Sequence, residues 1–93
     1  MTPTAKVLTR ALARLMKYGW IKHASGNTKT GFCSLGAIHA GRPMPSVFVD
    51  AREALRAVPP TLLSVSLSSW NDAPERRKRQ VIARFKQAIK RAG

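Results

Sequence analysis

The sequence predicts an all-α, single-domain protein: a small bundle of about four helices around a short buried central helix. Three observations support that prediction. Apolar residues recur at helical spacing near both ends of the chain, the middle contains a charge-free stretch, and only one segment alternates as a strand does. The 93 residues have room for one core. An apolar content of 44% is ordinary for a globular protein, even at a net charge of +13.

The charge-free stretch between residues 31 and 41 is the feature around which the chain is organised. It contains no Lys, Arg, Asp or Glu, and its apolar residues leave no wide polar face at either a helical or a strand period. This pattern predicts a buried helix over 32–40. We expect Gly36 and Ala37 to be small enough for another helix to approach closely, and Cys33 to pack as a small core residue.

The N-terminal part of the chain predicts a basic amphipathic helix over 4–18. Its apolar residues recur every three or four positions as far as Gly19, and Thr2 or Thr4 can start it. A second face of this helix is cationic, and it is as compatible with a solvated surface as with an anion-binding one. The cations of that face are Lys6, Arg10, Arg14 and Lys17. The residues over 19–31 are dense in Gly, Asn, Ser and Thr, which predicts a loop.

A third helix is predicted after the Pro-rich break that follows the charge-free stretch. It covers 46–58, it can be capped by Ser46 or Asp50, and the pair Pro59-Pro60 ends it.

The segment 61–70 fits two patterns. Leu and Val alternate with Ser as in a strand, yet Leu63, Leu67 and Trp70 also have helical spacing. A lone strand cannot satisfy its backbone hydrogen bonds. We therefore expect helix or irregular structure here.

A second basic helix is predicted over 73–92, where apolar spacing resumes at Val81. The residues that give this segment its charge are Arg76, Arg77, Lys78, Arg79, Arg84, Lys86, Lys90 and Arg91.

The four acids form two Asp-x-x-Glu pairs, Asp50 with Glu53 and Asp72 with Glu75. This is the spacing of a helix N-cap and its partner in the first turn, so we interpret the acids as structural rather than catalytic.

The remaining reactive side chains do not indicate an enzyme. Cys33, His23 and His39 lack the paired spacing of zinc ligands, and Cys33 lies in the most apolar part of the chain, where an activated thiolate is not expected. We expect no catalytic residue, no metal and no cofactor. One cysteine permits no internal disulfide and fits a reducing cytoplasm.

Two short motifs resemble those of an uncharacterised family of small proteins from actinobacteria and their phages. The first is Gly31-Phe-Cys-Ser-Leu-Gly-Ala-Ile38, which contains Gly31, Cys33, Gly36 and Ala37. The second is Trp70-Asn71-Asp72, followed by the closing helix, so that the resemblance spans 19–92. It implies a compact helical domain with these seven residues in structural roles, and an accessory role in a phage. It implies no reaction, and the strong basic charge departs from the family pattern.

The functional hypotheses follow from the strong positive charge of the chain. The leading one is a non-enzymatic protein that binds nucleic acid through phosphate contacts from the cations named above, without strong sequence specificity because no helix-turn-helix spacing is evident. The alternative is a phage-encoded inhibitor or adaptor that binds an acidic host protein. A membrane surface is a weaker partner, since the core needs both apolar helix faces. A homodimer is compatible with the sequence, and the expected location is the cytoplasm, that of the host if a phage encodes the protein.

Overall fold

The computed structural model describes residues 1–60 and 62–93, and within them it contains five helices and one very short hairpin. The helices are α1 (Pro3–Tyr18), α2 (Ser34–His39), α3 (Pro45–Arg56), α4 (Leu67–Asp72) and α5 (Lys78–Ala92). The strands are β1 (Gly26–Asn27) and β2 (Gly31–Phe32), which pair antiparallel. The small helical bundle predicted from the sequence is therefore confirmed.

The core lies where α1, α3 and α5 pack against one another, and α2 and α4 also contact α3. Leu8 and Leu15 of α1, Leu55 of α3 and Phe85 of α5 are fully buried there. α1 begins as the sequence predicts, because Thr2 Oγ1 accepts a hydrogen bond from the Ala5 N–H at 3.1 Å. Within the part of the chain that is described, no helix has the length and apolar character needed to cross a membrane.

The charge-free stretch forms less helix than predicted. Residues 31 and 32 belong to β2, and α2 starts only after Cys33, whose Sγ accepts a hydrogen bond from Gly36 N at 3.2 Å. Gly31 has φ +91°, and a Cβ there would lie 2.7 Å from the carbonyl of Gly19. This left-handed backbone and close approach select glycine and divert the chain into the hairpin instead of the helix.

The residue that approaches Gly36 belongs to a loop, not to another helix as expected. The carbonyl of Ser25 lies against Gly36 and accepts a hydrogen bond from Cys33 N at 3.2 Å. A Cβ on Gly36 would overlap that carbonyl. Ala37 is fully buried, and its own carbonyl accepts a hydrogen bond from Arg14. The small residues of α2 thus bring a loop and α1 close to its backbone.

The proposed N-terminal capping roles of the acids are wrong. α3 begins at Pro45 after Met44, without a side-chain cap, so Ser46 and Asp50 lie inside the helix. Pro45 removes one of the N–H groups that a cap would have satisfied.

α5 begins at Lys78, five residues later than predicted, and Asp72 ends α4 instead of capping α5. The residue before Pro74 is held in an extended conformation (Ala73, ψ 137°), which interrupts the helical pattern. The side chain of Gln80 accepts a hydrogen bond from Arg77 N at 2.8 Å in the first turn of α5.

The ambiguous segment contains a helix at its C-terminal end. Ser66 Oγ accepts a hydrogen bond from Ser69 N at 3.1 Å and starts α4 at Leu67, whereas residues 62–66 form neither helix nor strand. Thr61 lies outside the described residues. The expectation of helix or irregular structure agrees with this arrangement.

The Asn71 side chain joins three parts of the chain in the interior. Asn71 is 1% exposed, and its Oδ1 accepts hydrogen bonds from Trp20 Nε1 at 2.7 Å, Ser34 N at 3.0 Å and Ser34 Oγ at 2.6 Å. Its Nδ2 donates to the Ile21 carbonyl at 3.1 Å and to Asp72 Oδ1 at 2.9 Å. The carboxamide therefore fixes α4 to the start of α2 and to the segment that leaves α1.

We expect Asn71→Ala to lower the free energy of unfolding by about 3 kcal/mol, because it leaves the Ser34 N–H and hydroxyl without their acceptor in the interior. Urea denaturation of the two proteins measures the difference. Asn27→Ala, at the exposed end of β1, is the matched control and should cost less. Equal losses for the two variants would contradict the central position of Asn71.

We expect Gly36→Ala to destabilise the protein by about 2 kcal/mol or more, since the added methyl group must displace the backbone of Ser25. Gly41→Ala is the control, because its Cβ would meet only the end of the Arg14 side chain. Thermal and urea unfolding compare the pair, and a Gly36→Ala protein as stable as the control would refute the close backbone contact.

Candidate anion-binding surface

Three of the four predicted cations of α1 lie on the surface. Lys6, Arg10 and Lys17 are exposed, whereas Arg14 is half-buried and its Nη1 donates to the Ala37 carbonyl at 3.0 Å. We call the exposed three the α1 row. Arg14 stabilises the contact between α1 and α2, and its guanidinium borders the α1 row without being fully part of it.

The cations of the C-terminal segment divide into two groups. Arg77, Lys78, Arg79, Lys86, Lys90 and Arg91 are exposed. Arg79, Lys86 and Lys90 follow one another at spacings of seven and four, so they share the face of α5 opposite buried Val81 and Phe85. We call these three the α5 row.

Arg76 and Arg84 do not belong to that exposed group. Arg84 is 9% exposed, with Nε donating to the Leu55 carbonyl at 2.6 Å and Nη2 to the Arg56 carbonyl at 3.1 Å. Arg76 is half-buried, and its Nε donates to the Trp70 carbonyl at 2.8 Å. Burial, and after it the charge of Arg76, lowers the pKa of Arg84. These two arginines bind carbonyls near the C-terminal ends of α3 and α4, where cations complement the helix dipole.

The burial of Arg84 has a signal in the sequence. Arg84 lies three residues after Val81 and four before Ala88, so it shares their apolar face rather than the polar face of α5. The sequence does not indicate that the Leu55 and Arg56 carbonyls accept its hydrogen bonds, because the C-terminal turn of α3 meets α5 only in the folded protein.

α1 and α5 pack against each other in opposite directions. The start of α1 meets the end of α5, where Thr2 Oγ1 donates to the Ala92 carbonyl at 2.8 Å. Neither helix contains an acidic residue. The acids are Asp50 and Glu53 on α3, Asp72 at the end of α4 and Glu75 in the following connection. The paired helices therefore form an acid-free surface with positive potential.

The two rows flank an uncharged strip instead of merging into one patch. Ala5 lies beside Gly93, at the end of α5, and Thr9 and Met16 follow it at spacings of four and seven. These positions therefore lie on the side of α1 that faces α5. Thr9, Ala13 and Met16 are exposed and separate the α1 row from α5. The surface thus has cations on both sides of a neutral seam.

The residues with nucleophilic or metal-binding side chains meet at one cavity of about 320 Å³. His23, Cys33, His39 and Asp72 line it, but Cys33 is buried and its Sγ accepts the Gly36 N–H, and the His39 ring stacks on Phe48 at 4.1 Å. Among residues 1–60 and 62–93, no group of three or more His, Cys, Asp and Glu side chains is arranged to hold a metal ion. Of the seven motif residues, Cys33 and Asp72 line this cavity, whereas Trp70 lines a different groove.

Asp72 links this cavity to the Asn71 network. Burial raises its pKa, but the hydrogen bonds from His23 N–H and Asn71, and the charges of His23 and Lys22, oppose burial and leave the pKa of Asp72 below its ordinary value. His23 Nδ1 lies 3.7 Å from Asp72 Oδ2. The ionised carboxylate is therefore the form that suits the folded protein.

A lowered pKa in the folded state means that the unfolded chain binds more protons near and below pH 4. The Asp72 contribution to stability is complete above the ordinary aspartate pKa and is lost as pH falls through the lower, folded-state value. We expect Asp72→Asn to flatten the acid limb of the stability curve between about pH 5 and 3. Urea midpoints measured across that range test this, with Glu75→Gln as the exposed control. An unchanged acid limb in Asp72→Asn would contradict the assignment.

Comparison with known proteins gives one relationship. Neither a search of curated proteins nor a search of solved structures found a match. A family model described as a family of unknown function (DUF6197) matches residues 1–91. Since that match spans almost the whole chain, the protein belongs to this family of unknown function.

Proposed function

We propose that this protein is a non-enzymatic binding protein that holds nucleic acid through phosphate contacts from the α1 and α5 rows, with little sequence specificity. The observation that supports this most directly is the pairing of two helices that expose cations and lack acids. Nucleic acids present closely spaced phosphate charges, and they release counterions when such a surface binds them. The resemblance of the motifs also leads us to propose an accessory role in a phage, in the host cytoplasm.

Lack of specificity follows from the side chains that the surface offers. The seam between the rows contains Thr9, Ala13 and Met16, which supply few groups able to read base edges. Lys and Arg in the two rows contact phosphates whatever the sequence. We therefore expect affinity to depend on salt and length more than on base sequence.

Fluorescence anisotropy with a labelled duplex tests the proposal between 50 and 200 mM salt. With about six phosphate contacts, affinity should fall by about a thousandfold across that range. Lys6→Gln/Arg10→Gln and Lys86→Gln/Lys90→Gln should each weaken binding and reduce the salt slope by about two, because each removes two phosphate contacts.

The control variant removes two cations that lie outside both rows. Lys29→Gln/Arg52→Gln lowers the net charge equally, since Lys29 lies in the hairpin turn and Arg52 lies on α3 in a groove beside Ser64 and Leu67. It should change the slope much less than the row variants. Equal effects from all three variants would show that net charge alone is at work and would contradict a defined surface.

A pull-down from lysate, divided into nuclease-treated and untreated halves, separates nucleic acid from an acidic protein partner. Loss of the bound material after nuclease treatment supports the proposal. A stoichiometric protein that stays bound after nuclease treatment would replace it with the host-protein alternative.

A further inference from the structure

A groove of about 330 Å³ lies beside Trp70, and it adjoins the α5 row without containing any of its residues. Its polar lining consists of Arg76, Arg84, Gln80 and Gln87, and its apolar lining comes from Val58, Ala83 and the Trp70 side chain. The volume is at the lower end of the range for small-molecule sites. The groove thus offers two guanidinium groups and two carboxamides beside a small apolar surface.

Both cations of the groove are held in place before any ligand arrives. The Arg76 Cζ lies 4.2 Å from the centroid of the Trp70 ring, and the Arg84 Cζ lies 5.4 Å from the same centroid. Main-chain carbonyls of Trp70, Leu55 and Arg56 accept hydrogen bonds from their nitrogens. Side chains already fixed in this way lose little conformational entropy on binding.

The charged side chains that line the groove, Arg76 and Arg84, are both positive. No carboxylate lines it in the part of the chain that the structure describes, and its two cations lie against one indole ring. Like charges this close repel each other, and the charge of Arg76 is the second cause, after burial, of the lowered pKa of Arg84. An anion in the groove would offset that repulsion, and the half-buried position strengthens its attraction relative to a fully exposed surface.

We propose that this groove binds a phosphomonoester, either a free mononucleotide or the terminal phosphate of a nucleic-acid strand. The Arg76 guanidinium, which donates to a carbonyl through Nε, can match phosphate oxygens in a planar, two-point contact through its other two nitrogens. The charge of Arg84 adds to the attraction, and the N–H₂ of a Gln carboxamide can donate to a further oxygen. The apolar lining from Val58 and Ala83 gives the adjoining nucleoside a surface to contact. This site does not depend on the two basic rows, so it goes beyond the function proposed above.

Calorimetry and amide NMR with four probes test the site. The probes are adenosine monophosphate, adenosine, and one short single-stranded DNA prepared with a 5′-phosphate and with a 5′-hydroxyl. We expect each phosphorylated probe to bind at least tenfold more tightly than its partner, and to shift the Trp70 indole and Gln87 side-chain resonances.

Gln87→Glu is the decisive variant. Gln87 is exposed, so the substitution does not threaten the core, yet it sets a carboxylate among the two arginines, where it competes with phosphate. It should reduce the preference for the phosphorylated probes at least tenfold. Lys29→Gln makes the same change in net charge at the exposed hairpin turn, outside both rows and the groove, and should alter that preference less than twofold. Circular dichroism checks that both variants are folded.

The outcomes distinguish a mononucleotide from a strand terminus as the ligand, and they test the groove separately from the basic rows. Tight binding of adenosine monophosphate supports a mononucleotide site, whereas a preference seen only with the phosphorylated strand supports a strand terminus. No preference for phosphate with either pair, or equal effects of Gln87→Glu and Lys29→Gln, overturns the inference. If the 5′-hydroxyl strand does not bind at low salt, that result contradicts the function proposed for the α1 and α5 rows but not the inference about the groove.

Discussion

The fold depends on the buried carboxamide of Asn71. One oxygen accepts three hydrogen bonds from Trp20 and Ser34, and one nitrogen donates two, so a single side chain satisfies polar groups from three segments. In the interior each of these groups would be costly to leave unsatisfied, which gives the arrangement a strong preference for one geometry. α2 and α4 are only six residues long and could not be stable alone. The Asn71 network is what makes these short helices part of a defined structure.

The second constraint is the protein's positive charge. A chain of net charge +13 must fold against its own repulsion, and the structure separates its exposed cations over the outer faces of α1 and α5 while the apolar faces meet beneath. Arg76 and Arg84 are the exceptions, since they lie close together near Trp70. Their hydrogen bonds to carbonyls of α3 and α4 explain how the fold tolerates this closeness.

The sequence predicted the three long helices, α1, α3 and α5, because the buried residues of each helix recur every three or four positions. The hairpin over 26–32 could not be predicted in this way, since it depends on backbone contacts between Gly31 and Gly19. The prediction that Asp72 caps the last helix was wrong, because its spacing to Glu75 is that of a cap but Pro74 interrupts the helical pattern. In the folded protein, Asp72 instead accepts a hydrogen bond from the backbone N–H of His23, which lies 49 residues earlier in the sequence. Nine of the twelve predicted binding cations are exposed, whereas Arg14 and Arg76 are half-buried and Arg84 is buried on the apolar face of α5. Distances between segments, such as those around Trp70, are not encoded in local patterns.

The rate at which the single cysteine, Cys33, is chemically modified can measure local opening of the fold. Cys33 is 8% exposed and its sulfur lies at the start of α2, beneath the Ser25 loop and beside the Asn71 network. Cys33 lines the cavity near His23 but is largely buried, so a thiol reagent reacts with it faster when these segments separate. The rate of alkylation therefore reports how often the short helices detach while α1, α3 and α5 stay packed. Such a rate would distinguish local fluctuation of the motif region from unfolding of the whole bundle.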